Sequence, residues 1–268
     1  MSGYVLRGGR EGYERLRLLA RARRDDTLAL LELAGVQPGW RCVDLGCGGG
    51  EVTFELARLV GPTGHVAGLD MNEVSLGLAR EAAAERGIEN AAFRVANLDE
   101  WRDDDAYDLV YCRFVLHHLS RPAEVLARMW AAVRPGGALV AEDADFDGLF
   151  CDPPNEGFAF YAGLYPKVLG RRGGDHTAGR KLYRYLLEAG VSDPQLRLVQ
   201  GIRTDGDTKQ LPLATLEGIG DAAVEEGLAT PAEIEAAAAS LRAFLQDPST
   251  TIGDPRTFQA WARRSPAG

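Results

Sequence analysis

The sequence has few cysteines, few histidines and no long apolar run. Its four cysteines show neither Cys-x-x-Cys spacing nor a histidine cluster, which argues against a zinc site and against a disulfide framework. No segment approaches the roughly 18 apolar residues that a membrane-spanning helix requires. The first 24 residues contain arginines but no apolar stretch followed by a small-residue cleavage site, so they do not resemble a secretory signal. We therefore expect a cytoplasmic protein with reduced thiols and no membrane contact.

The chain also lacks an excess of positive charge. Its 39 acidic and 30 basic side chains give a formal net charge of -9, which opposes non-specific binding to nucleic-acid phosphates. The one basic patch covers residues 7–24, where seven arginines face two glutamates. We interpret it as the solvated face of an amphipathic helix, because exposed helix faces commonly have this composition. No nucleic-acid partner is expected, and a homodimer is one assembly compatible with the sequence.

Short apolar runs alternate with helical stretches from Trp40 to Glu142. This alternation is typical of a parallel sheet that is covered by helices on both faces. The strands that we predict are Arg41–Leu45, His65–Asp70, Ala92–Ala96, Tyr107–Tyr111, Ala138–Glu142, Gln195–Gln200 and Thr257–Ala262. The sequence thus predicts an α/β fold with a doubly wound, mostly parallel, seven-stranded sheet of the Rossmann-like type.

Helical insertions interrupt this pattern in the second half of the chain. Phe146–Thr177 contains two adjacent prolines and an aromatic cluster, and a helical pair precedes the last strand. We expect these segments to form a lid over the carboxyl ends of the strands, where open α/β sheets bind ligands. The predicted parts are an N-terminal helical cover (1–35), an α/β core (36–145), a helical lid (146–178) and the remainder of the core (179–268), with the helical pair at about 208–246.

The central motif is a glycine-rich turn between the first strand and a helix, Val43-Asp-Leu-Gly-Cys-Gly-Gly-Gly-Glu-Val-Thr53. Glycines allow the backbone to approach a ligand closely, and the helix start offers unpaired N–H groups. Asp70 ends the second strand, a position from which a carboxylate can hold both ribose hydroxyls of an adenosine. The two features together indicate an adenosine cofactor, and they leave NAD and S-adenosylmethionine (SAM) both open.

Further motifs in register separate these cofactors. They are Asp44 before the glycines, Gly-x-Gly-x-Gly in place of Gly-x-Gly-x-x-Gly, Ala96-Asn97-Leu98 after the third strand, Tyr107-Asp-Leu-Val-Tyr111, and Val-Arg-Pro-Gly-Gly137. Together they resemble the class I SAM-dependent methyltransferases, over about Trp40–Glu142. The opening Tyr4-Val-Leu-Arg-Gly-Gly9 and the lead-in to Gly39 are similar to the branch that contains ubiquinone/menaquinone C-methyltransferases and related small-molecule enzymes.

The resemblance implies a SAM site and its residues. Asp44 and the turn Gly46-Cys47-Gly48 would contact the methionine end of SAM, and Asp70 would hold the ribose. Met71 would pack on the adenine, Asn97 and Leu98 would border it, and Arg113 would lie near the cofactor carboxylate. Asn97 stands where the family more often has an aspartate that accepts from the adenine amino group. An amide carbonyl still accepts that bond, so we expect weakened rather than lost binding.

Two adjacent histidines are candidate bases for the transfer. The pattern Tyr111-x-Arg113-x(4)-His118 matches the position of the catalytic histidine in phosphoethanolamine methyltransferases, so the resemblance favours His118 over His117. Neighbouring residues point to different sides of a helix or tight turn, so one of the pair would face the methyl donor while the other packs. Tyr4 is a candidate partner of His118 or a cofactor contact. The alternatives are a structural histidine pair and a tyrosine that only anchors the N-terminus.

A second cluster comprises Glu142, Asp143, Asp145 and Asp147. Such carboxylates can bind Mg²⁺, but we favour roles at a pocket rim or a helix cap and predict no metal site. The expected function is methyl transfer from SAM, with S-adenosylhomocysteine (SAH) as product, to an O, N or C atom of a small molecule, with secondary metabolism as the setting. The alternatives are a non-catalytic SAM or SAH binder, a cyclase descended from this fold, a nicotinamide-dependent oxidoreductase, and a tRNA or protein methyltransferase. The last is disfavoured by the acidic balance.

Overall fold

The computed structural model describes residues 9–266, with side chains from residue 12 onward. The described residues form ten strands: β1 (Arg41–Leu45), β2 (His65–Asp70), β3 (Ala91–Val95), β4 (Tyr107–Arg113), β5 (Val133–Asp145), β6 (Phe150–Asp152), β7 (Gln195–Val199), β8 (Ile202–Arg203), β9 (Thr251–Gly253) and β10 (Arg256–Arg263). The helices are α1 (Gly9–Leu33), α2 (Glu51–Val60), α3 (Glu73–Glu85), α4 (Pro122–Ala132), α5 (Glu156–Arg171), α6 (Ala178–Glu188), α7 (Leu211–Glu225) and α8 (Pro231–Gln246).

Seven strands form one sheet in the order β3-β2-β1-β4-β5-β10-β7. The pairs β1–β2, β2–β3, β1–β4 and β4–β5 are parallel. Strand β10 lies antiparallel between β5 and β7. The prediction of a seven-stranded, mostly parallel α/β sheet is therefore confirmed.

Alternate residues of each central strand face opposite helical layers, as the two-residue period of a strand requires. Val43 and Leu45 pack with the apolar stripes of α4 and α6 on one face. Cys42, the residue before Val43, packs with the end of α1 and with α2 on the other face. Both faces of the central sheet are thus buried, which explains why its strands read as nearly continuous apolar runs.

Helices α5, α7 and α8 pack on one another around a second apolar core. The strands β6, β9 and β8 form a small antiparallel sheet beside it, and Ile252 of β9 is buried in this core. Within the described part of the chain, no helix combines the length and the apolarity needed to cross a membrane.

Candidate active site

A cavity of about 760 Å³ opens beyond the carboxyl ends of β1, β2, β3 and β4. Helices α1, α5 and α7 supply its opposite wall. The predicted residues that line it are Asp44, Gly46, Cys47, Gly48, Asp70, Met71, Asn97, Leu98, Arg113 and His118. Tyr4 lies outside the described residues. Apart from Tyr4, all the site residues that we predicted from the sequence line this one cavity, although they follow four different strands.

The glycine turn brings the backbone to the cavity wall. Gly46 and Gly48 adopt left-handed φ angles of 73° and 51°, a region that suits glycine. The N–H groups of Gly46 and Cys47 both donate to the Leu69 carbonyl, at 2.7 and 3.0 Å. A Cβ atom on Gly46 would lie 2.3 Å from Cγ2 of Val115. Position 46 therefore excludes side chains, and the turn stays close enough to the cavity to cradle a ligand.

Asp70 joins this turn to the start of α3. Its Oδ2 accepts from the Gly48 N–H and its Oδ1 accepts from the Asn72 N–H, both at 2.9 Å. A carboxylate offers about four lone-pair sites, so two acceptor positions remain for a ligand diol. Met71, half exposed, follows directly on the cavity wall. The arrangement fits the ribose and adenine of SAM.

Asn97 begins the loop that borders the same end of the cavity. Its Oδ1 accepts from the Asp99 N–H at 3.1 Å, which fixes the amide and leaves one lone pair of that oxygen for a ligand donor. The Leu98 carbonyl accepts from Arg128 at 3.0 Å, so a neighbouring helix also holds the loop.

Arg113 is held at the end of β4 by a chain of buried hydrogen bonds. Its Nη1 donates to the Thr27 hydroxyl at 3.0 Å, and that hydroxyl donates to Glu142 at 2.9 Å. The Tyr111 hydroxyl and the Gln259 amide also donate to Glu142. The guanidinium is thus positioned by residues from α1, β4, β5 and β10, a network that no local sequence pattern reveals.

Asp44 is buried beneath the glycine turn. Its Oδ2 accepts from the Thr53 hydroxyl at 2.7 Å. Burial raises the pKa of Asp44 to about 6, although the Thr53 hydrogen bond and the Arg113 charge both lower it. The ionised carboxylate at neutral pH is therefore under-compensated, and a ligand cation such as the amino group of SAM would relieve it.

We predict that Asp44→Asn stabilises the ligand-free protein at pH 8. The folded pKa lies above the value of about 3.9 for unfolded aspartate, so the folded state binds more protons between these values and its stability falls as the pH rises through them. The charge then costs about 3 kcal/mol above the folded pKa. Asparagine removes it and keeps a carbonyl acceptor for Thr53. Urea unfolding should show the gain at pH 8 and a smaller gain at pH 5.

The matched control for this variant is Asp25→Asn, because the Asp25 side chain is fully solvated. We expect it to change the free energy of unfolding by less than about 0.5 kcal/mol at either pH. An Asp44→Asn protein that is less stable than wild type at pH 8 would show that the carboxylate is favourably compensated.

The two histidines occupy a short 3₁₀ turn after β4, with ring centroids 4.0 Å apart. His117 is buried: its Nδ1 lies 2.7 Å from Oδ1 of Asp143, and its Nε2 lies 3.3 Å from the Tyr165 hydroxyl. His118 is partly exposed. Burial, followed by His117 and Arg15, lowers the pKa of His118 well below its usual value, so its ring stays neutral near pH 7. Both rings line the cavity.

The acidic cluster is divided among different partners. Asp143 holds His117, Asp145 pairs with Arg180 and Arg256, and Asp147 pairs with Arg180. Among the side chains of residues 12–266, no three His, Cys, Asp or Glu are placed to hold a metal ion.

Helix α1 contributes residues to the cavity that sequence reasoning missed. Arg15, Leu19 and Arg23, four residues apart, form one stripe along this wall. Arg15 and Arg23 are 9% and 2% exposed, so interpreting the basic patch as a solvated face was wrong for both. The spacing of 15, 19 and 23 was the available signal, because three such positions share one helix face. Tyr161 and Tyr165 of the aromatic cluster also reach the cavity.

A family model described as a methyltransferase domain matches residues 37–190. The ubiquinone/menaquinone biosynthesis C-methyltransferase UbiE of Vibrio parahaemolyticus is 29% identical over 192 residues, which cover 70% of this chain and 71% of that protein. A putative methyltransferase from Bacillus halodurans is a similar solved structure, with a TM-score of 0.56, 20% identity, and coverage of 90% of this chain and 99% of its own.

A third match is phosphoethanolamine N-methyltransferase 2 of Haemonchus contortus, crystallised with phosphomonomethylethanolamine and SAH. It has a TM-score of 0.57 and 18% identity, over 91% of this chain and 53% of its own. At such identities both solved structures support the fold alone.

Proposed function

This chain belongs to the class I SAM-dependent methyltransferases, and from that premise we propose that it transfers the methyl group of SAM to a small organic molecule. One observation carries the proposal: a single cavity runs from the glycine turn and Asp70 to the two histidines and the helical wall. Cofactor and acceptor would therefore share one enclosed space. A secondary-metabolic role, a cytoplasmic location and a homodimer rest on the sequence alone and stay predictions.

The residues of the cavity have two roles, binding the cofactor and placing the acceptor. We assign the cofactor to Asp44, Gly46, Cys47, Gly48, Asp70, Met71, Asn97, Leu98 and Arg113. When bound, SAM supplies an electrophilic methyl group. Helices α1, α5 and α7 would exclude water and orient the acceptor, which is the main contribution that an enzyme makes to an in-line transfer. His118 would take a proton if the acceptor atom is a hydroxyl or an acidic carbon.

The test combines ligand detection, binding and transfer. Mass spectrometry of the purified protein should find SAM or SAH, calorimetry should show SAM binding, and labelled SAM should transfer its methyl group to members of a small-molecule panel. Gly46→Ala should abolish binding, because its Cβ would meet Val115 and its φ is left-handed. Gly61→Ala is the matched control, since Gly61 also has a positive φ but no atom within 4 Å of the added Cβ.

Two results would contradict the proposal. A protein that binds neither SAM nor SAH would remove the cofactor assignment. Tight SAM binding without transfer to any acceptor would favour a non-catalytic binder or a cyclase instead.

A further inference from the structure

Arg15 is a buried cation without a counter-charge in the described chain. Its side chain is 9% exposed and lines the cavity. No carboxylate among residues 12–266 lies within ion-pair distance of it, and its Nε has no hydrogen-bond partner. Leaving a buried charge uncompensated is strongly unfavourable, so such a group indicates a missing partner.

The other arginines of the cavity have partners on the chain. Arg23 pairs with Asp254 at 2.9 Å, Arg172 pairs with Glu226 at 2.9 Å, and Arg113 donates to Thr27. Arg15 also borders an adjoining cleft with Glu217 and Glu225 of α7. Neither carboxylate lies within ion-pair distance of Arg15, and Glu217 pairs with Arg242 instead. Arg113, whose partner Thr27 is neutral, is already assigned to the cofactor. Arg15 is therefore the cavity arginine that neither an acidic side chain nor the cofactor assignment accounts for.

The position of Arg15 indicates that its charge serves the methyl acceptor and not the cofactor. Its neighbour Leu16 faces the glycine turn, where a Cβ on Gly48 would lie 3.0 Å from it. Arg15 lines the same cavity as His118 and Tyr161, near enough for its charge to act on both. Burial lowers the pKa of His118 and raises that of Tyr161, and the Arg15 charge lowers both pKa values. The cavity wall supplied by α7 and β9 includes the apolar side chains of Leu211 and Ile252.

We propose that the methyl acceptor is a small organic acid whose carboxylate pairs with Arg15 and whose apolar or aromatic body packs between α5, α7 and β9. This inference rests on the proposed function. A carboxylate is favoured over a phosphate because one unpaired guanidinium neutralises one negative charge, whereas a phosphate dianion would need a second cation. The planar guanidinium can bind both oxygens of that carboxylate through two parallel N–H···O hydrogen bonds.

The test uses aromatic probes that differ in charge: benzoate, its uncharged isostere benzamide, and phenyl phosphate as the dianionic comparison. Each is titrated into the SAH-loaded protein and followed by NMR. Wild type should bind benzoate at least tenfold more tightly than benzamide, and more tightly than phenyl phosphate. Arg15→Gln should reduce the ratio of benzoate to benzamide affinity to about one, while Arg15→Lys should retain part of it. Arg21→Gln is the control, because Arg21 is exposed and pairs with Asp207.

The affinity for SAH separates the possible failures. It should change less than twofold in Arg15→Gln; a loss equal to the loss of benzoate affinity would assign Arg15 to the cofactor carboxylate and overturn the inference. Equal binding of benzoate and benzamide by wild type would also overturn it, and so would a preference for phenyl phosphate. A wild-type protein that does not bind SAH contradicts the proposed function itself.

Discussion

Replacing His118 by alanine should lower the turnover rate about 10²-fold or more and leave the affinity for SAM nearly unchanged, the usual size of a lost general base. His118 is the more exposed of the two histidines. Burial, followed by His117 and Arg15, lowers its pKa well below the usual value, so the ring is unprotonated near pH 7 and its nitrogen is available as an acceptor. The titration of His118 should therefore not lower the turnover rate between pH 8 and pH 7. Single-turnover and steady-state rates with an identified acceptor measure both effects.

His117→Ala is the matched control for this variant. The backbone N–H of His117 donates to Asp143, and the His117 ring contacts the same carboxylate. Removing the ring would leave the buried Asp143 carboxylate without this side-chain partner. We expect that variant to lose stability by about 1 to 3 kcal/mol. A large rate loss in a folded His117→Ala protein, with normal turnover in His118→Ala, would reverse the two roles. A rate loss in His118→Ala that follows lost SAM binding would make the residue structural. Tyr4→Phe tests the predicted partner of His118.

Replacing Asp70 by alanine should weaken SAM binding by about 1 to 3 kcal/mol, or roughly 5- to 150-fold in affinity. The lost carboxylate would leave both ribose hydroxyls without their acceptor. It would also leave the N–H groups of Gly48 and Asn72 unpaired at the turn. Calorimetry with SAM gives the affinity, and urea unfolding of the ligand-free protein measures the change in the turn separately.

Glu81→Ala is the control, since it removes an acidic side chain from the exposed surface of α3. It should bind SAM as wild type does. Equal SAM affinity in Asp70→Ala and wild type would remove Asp70 from the cofactor assignment.

The strands of the sheet could be predicted because the sequence signals for each strand lie within a few neighbouring residues. The first two strands have the same bounds in prediction and structure, since each is a short apolar run that ends in a turn or an acidic residue. Helix α8 ends at Gln246, where the predicted helical pair ends, and the structure shows a capping box between Thr230 and Glu233 with proline in the first turn. These signals depend on neighbours within four residues.

The remaining features depend on contacts between distant segments. Strands β6, β8 and β9 have only two or three residues, too few to show a two-residue period. The burial of Arg15 and Arg23 follows from where α1 docks, and the helix itself is rich in arginine. The contact between His117 and Asp143 spans 26 residues and exists because β4 and β5 are adjacent in the sheet. Spacing along one segment can show that Arg15 and Arg23 share a helix face, but it does not show which distant segment that face packs against.

The place of β10 between β5 and β7 also governs when the site can form during synthesis. The ribosome synthesises β10 after both β5 and β7, and β10 begins more than fifty residues after the end of β7. Until then, the edges of β5 and β7 that pair with β10 stay unpaired. Gln259 of β10 is one of the donors to Glu142, to which Arg113 is linked through Thr27. Nascent chains stalled before residue 256 should thus present the glycine turn without a fully positioned Arg113, and competence to bind the cofactor should be among the last properties that the growing chain acquires.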